Sequence, residues 1–161
     1  MEIRPFADTD WPQVWPIISE VVRAQDTFTY DPDMTEAQAH SLWVHSPPGL
    51  TVVAVERDRV LATAQMGPNR PGPGAHVSTA SFMVAKGGRG KGLGGMLVEY
   101  ALDWARQQGF AGMQFNAVAD SNRSAVALYE RLGFAIVGTV PGAFEHPIEG
   151  RVGLHVMYFE F

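Results

Sequence analysis

The run Lys86-Gly87-Gly88-Arg89-Gly90-Lys91-Gly92-Leu93-Gly94 constrains this chain more than any other segment. Five glycines interleaved with three basic residues make a poor helix interior or strand, because glycine loses the most backbone entropy on ordering. The residues beyond it do predict a helix: Leu93, Met96, Leu97, Tyr100, Ala101, Trp104 and Ala105 recur at helical spacing, and Gly109 stops them. The residues before it, Val77 to Val84, are strand-forming. The unit is strand, glycine-rich turn, helix. The first N–H groups of such a helix lack intrahelical partners, and the helix dipole favours negative charge there. Arg89 adds a forked donor, and Lys86 and Lys91 add point charges. A phosphate or pyrophosphate is the guest this turn predicts.

Two phosphate-binding patterns are tested and fail. The P-loop needs Lys and then Ser or Thr after its last glycine, where this chain has Gly94-Gly95-Met96. Gly90 to Gly95 matches the spacing of the dinucleotide fingerprint. The turn lies too deep in the chain for that motif, however, and no acidic residue stands near Phe110 to Gln114. The formal net charge of −5 argues against sequence-independent nucleic-acid binding. Without cysteine there is no disulfide, no Cys-based metal site and no thiolate nucleophile, so any thiol comes with a cofactor. No metal is expected. No run is long and apolar enough for a signal peptide or a membrane span, so the expectation is a cytoplasmic chain, 1–161, forming one domain with no membrane partner.

Ile3 to Phe6 reads as a first strand. Asp10 is expected to cap a helix with Pro12 in its first turn and Val14, Trp15, Ile17, Ile18, Val21 and Val22 on its stripe. Thr35 and Gln38 form a capping-box pattern for a helix over Glu36 to His45, ended by Pro47-Pro48-Gly49. Leu50 to Glu56 and Val60 to Met66 read as a hairpin, and Asn69 to Gly74 as a loop. After the central helix come a strand over Phe110 to Ala117, a helix capped by Asn122 or Ser121 and ended by Gly133, and strands over Ala135 to Val140 and Val152 to Phe161. The segment between those last strands, with Pro141, Gly142, Pro147 and Gly150, is expected to be a loop. The fold class is α/β, a mixed sheet carrying helices.

Arg89, Gly92 and Gly94 fit the Arg/Gln-x-x-Gly-x-Gly/Ala signature, and Asn122 to Phe134 fits a downstream Asn-x-x-Ala-x-x-Leu-Tyr-x-x-x-Gly-Phe segment. On these motifs and the element order the chain resembles the GNAT (Gcn5-related N-acetyltransferase) superfamily. The resemblance implies a GNAT fold of about seven strands and four helices, splayed between the fourth and fifth strands, with acetyl-CoA as cofactor. It implies that Phe82, Met83 and Val84 pair with the pantetheine arm and that Arg89, Gly90, Lys91, Gly92, Leu93, Gly94 and Gly95 hold the pyrophosphate. Asn116, Asn122, Ser124 and Ala125 are implied as further cofactor contacts, and Tyr129 as a neighbour of the thioester sulfur. The layout looks like the phosphinothricin-type small-molecule branch, which has a His-containing loop before the last strand, here Phe144-Glu145-His146-Pro147. That branch carries a Glu base where this chain has Thr79.

Amide formation from a thioester needs a neutral amine, a stabilised carbonyl oxygen and a protonated leaving sulfur. Tyr129 can return the proton to sulfur, and the Val84 N–H is the first candidate for the oxygen. The base is open: His76, His146, His155 and Glu145 are candidates, with Thr79 at the family's position. An α-amine is roughly a tenth neutral at pH 7 and a lysine amine only about 0.04%. A weak base therefore points to an α-amino acid or similar small primary amine, or an amine-containing toxin or antibiotic, over a protein lysine. Phe28, Tyr30, Trp43, Phe144 and Glu145 are the expected acceptor-pocket residues. The other readings are a protein or peptide N-acetyltransferase and a non-catalytic acyl-CoA-binding or sensor domain. A homodimer is expected from the exposed edge strands at the C-terminus.

Overall fold

The computed structural model describes residues 1–161. Alternating apolar residues build seven strands: β1 (Glu2–Pro5), β2 (Leu50–Glu56), β3 (Arg59–Pro68), β4 (Val77–Val84), β5 (Gly112–Ala119), β6 (Ala135–His146) and β7 (Gly150–Glu160). Amphipathic stripes build α1 (Trp11–Ala24), α2 (Glu36–Trp43), α3 (Leu93–Gln107) and α4 (Arg123–Leu132). The strands form one mixed sheet in the order β1-β2-β3-β4-β5-β7-β6.

Strand alternation sends neighbouring residues to opposite faces, and each face has its own core. Val53, Val60 and Met83 pack under α1 and α2 with Val14, Ile18 and Trp43. Val52, Ala64, Ala80 and Met113 pack under α3 with Leu93, Leu97, Val98 and Ala101. All strand neighbours are antiparallel except β4 and β5, whose parallel pairing requires a crossover, supplied by α3. That pairing covers only Val77↔Gly112 and Ser78↔Met113, and beyond Ser78 the two strands part. A bulge in β5 between Phe115 and Val118 breaks its register with β7 at the same level. The sheet therefore opens between the fourth and fifth strands, as expected.

Four local expectations are corrected. The Asp10 side chain does not cap α1. It accepts two bonds from the Arg4 guanidinium, both 2.8 Å, and one from the Ala7 N–H, so a half-buried ion pair ties β1 to the entry of α1. The second helix ends at Trp43, not His45, because the His45 N–H is taken by the Thr51 hydroxyl at 2.9 Å. The fifth strand runs two residues later than Phe110 to Ala117: the Phe110 N–H still closes on Ala105, and pairing with β4 and β7 begins at Gly112. The expected loop over Pro141 to Gly150 is a continuation of the hairpin, with Phe144↔Val152, Glu145↔Arg151 and His146↔Gly150 in register. β6 is the edge strand, where a proline removes no ladder bond, and a register shift between Val140 and Phe144 absorbs Pro141 and Gly142. The capping box of Thr35 and Gln38 is present as expected.

Candidate functional site

The opened sheet holds a cleft of about 970 Å³. Its walls are β4, the glycine-rich turn, the start of α3, the bulged part of β5, α4 and the segment Thr27 to Tyr30. The β4 backbone forms one wall. The Asn69 N–H bonds to the Val77 carbonyl and the Ala85 N–H to the Leu61 carbonyl, both at 2.8 Å. These bonds assign the odd-numbered residues of β4 to β3. The N–H and C=O groups of Ala80, Phe82 and Val84 therefore point the other way, into the opening, where no strand pairs with them.

The turn behaves as its composition predicts. Gly92 sits at the N-cap of α3 in the left-handed region, φ 74°, with no side chain capping the helix. A Cβ added at Gly92 would meet nothing within 4 Å, so the turn borders open space. The N–H groups of residues 90 to 95 donate to no acceptor in the chain, and the helix's first backbone bond to the cap runs from Met96 to the Gly92 carbonyl, 3.2 Å. Six consecutive free donors at a helix start, with Arg89 beside them, could hold a phosphate or diphosphate. Lys91 does not face the cleft; its ammonium pairs with Glu56 at 3.0 Å. Arg89 lines the cleft and lies 3.9 Å from Glu20.

Tyr129 lies on α4 with its ring against Phe115 (4.6 Å) and Phe134 (5.9 Å). Burial of the phenol raises its pKa to about 12, which keeps the hydroxyl protonated through neutral pH. Burial alone acts on the hydroxyl, with no hydrogen bond from the protein, and the residue lines the cleft. Asn122 and Ser124 also line the cleft; the Asn122 side chain does not cap α4 and instead accepts from the Ser124 hydroxyl at 3.4 Å. Ser121, the other expected cap, has a buried hydroxyl with no partner.

The remaining expected residues divide. Thr79, Phe82, Met83, Val84, Gly94, Gly95, Asn116, Ala125, Phe28 and Tyr30 line the cleft with the turn. Trp43 does not: it is 1% exposed in the α1–α2 core, and its indole N–H donates to the Thr63 hydroxyl at 3.0 Å. No histidine lines the cleft. His76 is an exposed residue before β4, and His155 bonds to Thr139 at 2.7 Å. His146 closes its own hairpin by accepting the N–H groups of Ile148 and Glu149, both at 3.1 Å. Phe144 is buried on β6, and exposed Glu145 lies 3.8 Å from Arg151, both outside the cleft wall. Sequence reasoning missed a chain of amides at the mouth, where Asn116 exchanges bonds with Asn69 (2.7 and 3.3 Å) and accepts from Gln114 (3.0 Å). It also missed Thr27 and Thr29, although the alternation Thr27-Phe28-Thr29-Tyr30 was a signal that one face of that segment is polar. No cluster of three or more metal-ligating side chains is present.

A mixed sheet opened at its single parallel pair, with the unpaired N–H groups of a helix start at the opening, defines an α/β protein with a cleft across its sheet. The chain belongs to the acetyltransferase (GNAT) family, whose family model matches residues 13–134. It is similar over 99% of its length, with 50% identity and a TM-score of 0.97, to a GCN5-related N-acetyltransferase from Kribbella flavida, 97% of which is covered. A phosphinothricin acetyltransferase from Sinorhizobium meliloti, solved with acetyl-CoA, shares the fold: TM-score 0.84, 22% identity, 99% of this chain and 88% of that one. A streptothricin acetyltransferase from Streptomyces lavendulae is 46% identical over 75 residues, 47% of this chain and 38% of the relative. Matched stretches span 15% to 56% of the curated relatives' lengths.

Proposed function

We propose that this protein is an acetyl-CoA-dependent N-acetyltransferase acting on a small-molecule primary amine. The observation that carries the reading is the set of six unpaired N–H groups over residues 90 to 95 at the mouth of the opened sheet. Acetyl-CoA supplies a diphosphate, an extended amide-bearing arm and an activated acyl carbon on a good leaving group. The turn amides and Arg89 would hold the diphosphate, and the main chain of Ala80, Phe82 and Val84 would pair with the arm. The Val84 N–H would be the donor to the carbonyl oxygen. In the transfer the amine nitrogen would bond to the acyl carbon as the carbon–sulfur bond breaks, and the departing sulfur would take the Tyr129 proton, which Tyr129 then regains from solvent. The proton lost from nitrogen goes to solvent, since no carboxylate or imidazole lines the α1–α2 side of the cleft. The likeness to a streptothricin acetyltransferase supports a small amine as acceptor.

The enclosing segment Thr27 to Tyr30 favours a small acceptor over a long peptide. A homodimer is part of the proposal, supported by the exposed outer edge of β6. The test is an amine screen that reads CoA release. Tyr129→Phe should lower kcat about 100-fold and leave acetyl-CoA affinity unchanged; an unaltered kcat removes Tyr129 from the chemistry.

A further inference from the structure

Three charged residues line the cleft, Arg89, Glu99 and Arg131, and all belong to the turn, α3 or α4. The opposite side is different. Met83 packs with Val14 and Ile18 under α1, so strand alternation puts Thr79 and Ser81 on that same face. There the Tyr30 hydroxyl lies near the side chains of Ser81 and Gln65, and burial raises its pKa. Gln65 lies directly opposite Ser81 in the β3–β4 register and is 8% exposed, yet its Oε1 is buried without a partner. Phe28 holds Tyr30 in place from the other side, with ring centroids 5.3 Å apart. The side chains on this side that line the cleft are hydroxyls and apolar groups only. The charges of the adjoining loop, Asp26, Asp31 and Asp33, are exposed outside the cleft and all negative.

We propose that the α1–α2 side of the cleft is an acceptor subsite, centred on Tyr30 and Ser81 with Gln65 behind them, that selects amines bearing hydroxyl or amide groups and no anionic group. It rests on the acetyltransferase reading and narrows it. A carboxylate or phosphate entering this lobe leaves water without meeting a cation, which is costly. A hydroxyl or amide meets the Tyr30, Thr79 and Ser81 hydroxyls, which both donate and accept. A free α-amino acid is therefore a poorer acceptor than its carboxamide.

The experiment uses amine pairs that differ in one anionic group, glucosamine against glucosamine 6-phosphate and amino acids against their carboxamides. Rates are normalised to the neutral-amine fraction from pH profiles, and thermal stabilisation by acetyl-CoA is measured alongside. The uncharged member is expected to be used at least tenfold better in kcat/KM. Tyr30→Phe should raise the KM of that amine about tenfold while kcat and the acetyl-CoA stabilisation hold, a split that mere loss of packing does not give. Equal use of both members, preference for the anionic one, or an unchanged KM overturns the subsite while acetyl-CoA stabilisation persists. Absence of that stabilisation overturns the acetyltransferase reading, and the subsite with it.

Discussion

At the residue scale, function and stability draw on different side chains. Tyr129 has its ring fixed by aromatic neighbours, and burial holds its hydroxyl protonated, so it meets a departing sulfur as a hydrogen-bond donor. Asp10 has every reason to stay put. Two bonds from Arg4 hold its carboxyl below the usual carboxylate range, outweighing the opposing effect of burial. A depressed carboxylate stabilises the fold above its unfolded pKa of about 3.9 and loses that contribution as pH falls through the lower folded value. Asp10→Asn is expected to destabilise by about 2 kcal/mol at neutral pH and to flatten the acid limb of the stability curve. Urea unfolding at several pH values checks both; an acid limb as steep as before would show that other carboxylates set it. Asp10 was read from the sequence as a helix cap, because the cap pattern is local whereas Arg4 becomes its partner only when β1 packs beside the start of α1.

Elements repeat this contrast between local and distant causes. The turn and α3 were legible because glycine content, basic residues and helical spacing all act within 20 residues. Gly133 was legible as the stop of α4, and it stands at φ 111° with an added Cβ meeting the Phe159 ring at 2.7 Å. Gly133→Ala should therefore cost about 2 kcal/mol from strain and overpacking, readable as a lowered urea midpoint. The length of β6 was not legible. Pro141, Gly142, Pro147 and Gly150 are loop residues by composition, and only the sheet order shows that this strand is an edge where a proline is harmless. Nor did composition reveal that Trp43 packs inward while Phe28 and Tyr30 face the cleft, since all three are aromatic residues near the same turn. The histidine candidates lie outside the cleft lining for the same reason: an imidazole's chemistry is visible in a sequence, but its distance from a cleft is not.

At the scale of the whole molecule, one side of the sheet is unfinished. β6 carries Ile136, Val137 and Val140 at 40%, 62% and 56% exposure, with no charge before Glu145. A long uncharged edge is a pairing surface unless something covers it, and a second copy of the chain is the cover proposed above. Light scattering should give a dimer mass, and Val137→Asp should shift it to a monomer with acetyl-CoA affinity retained; a monomer for the unaltered chain rejects the dimer. The account as a whole depends on the empty donors of the turn. No helix is long and apolar enough to cross a membrane, and a chain of 161 residues suits titration followed by amide nuclear magnetic resonance. Addition of acetyl-CoA should move the amide resonances of residues 90 to 95 more than any others, with saturation at one equivalent. Binding that leaves those six resonances in place, or no binding at all, would contradict the account.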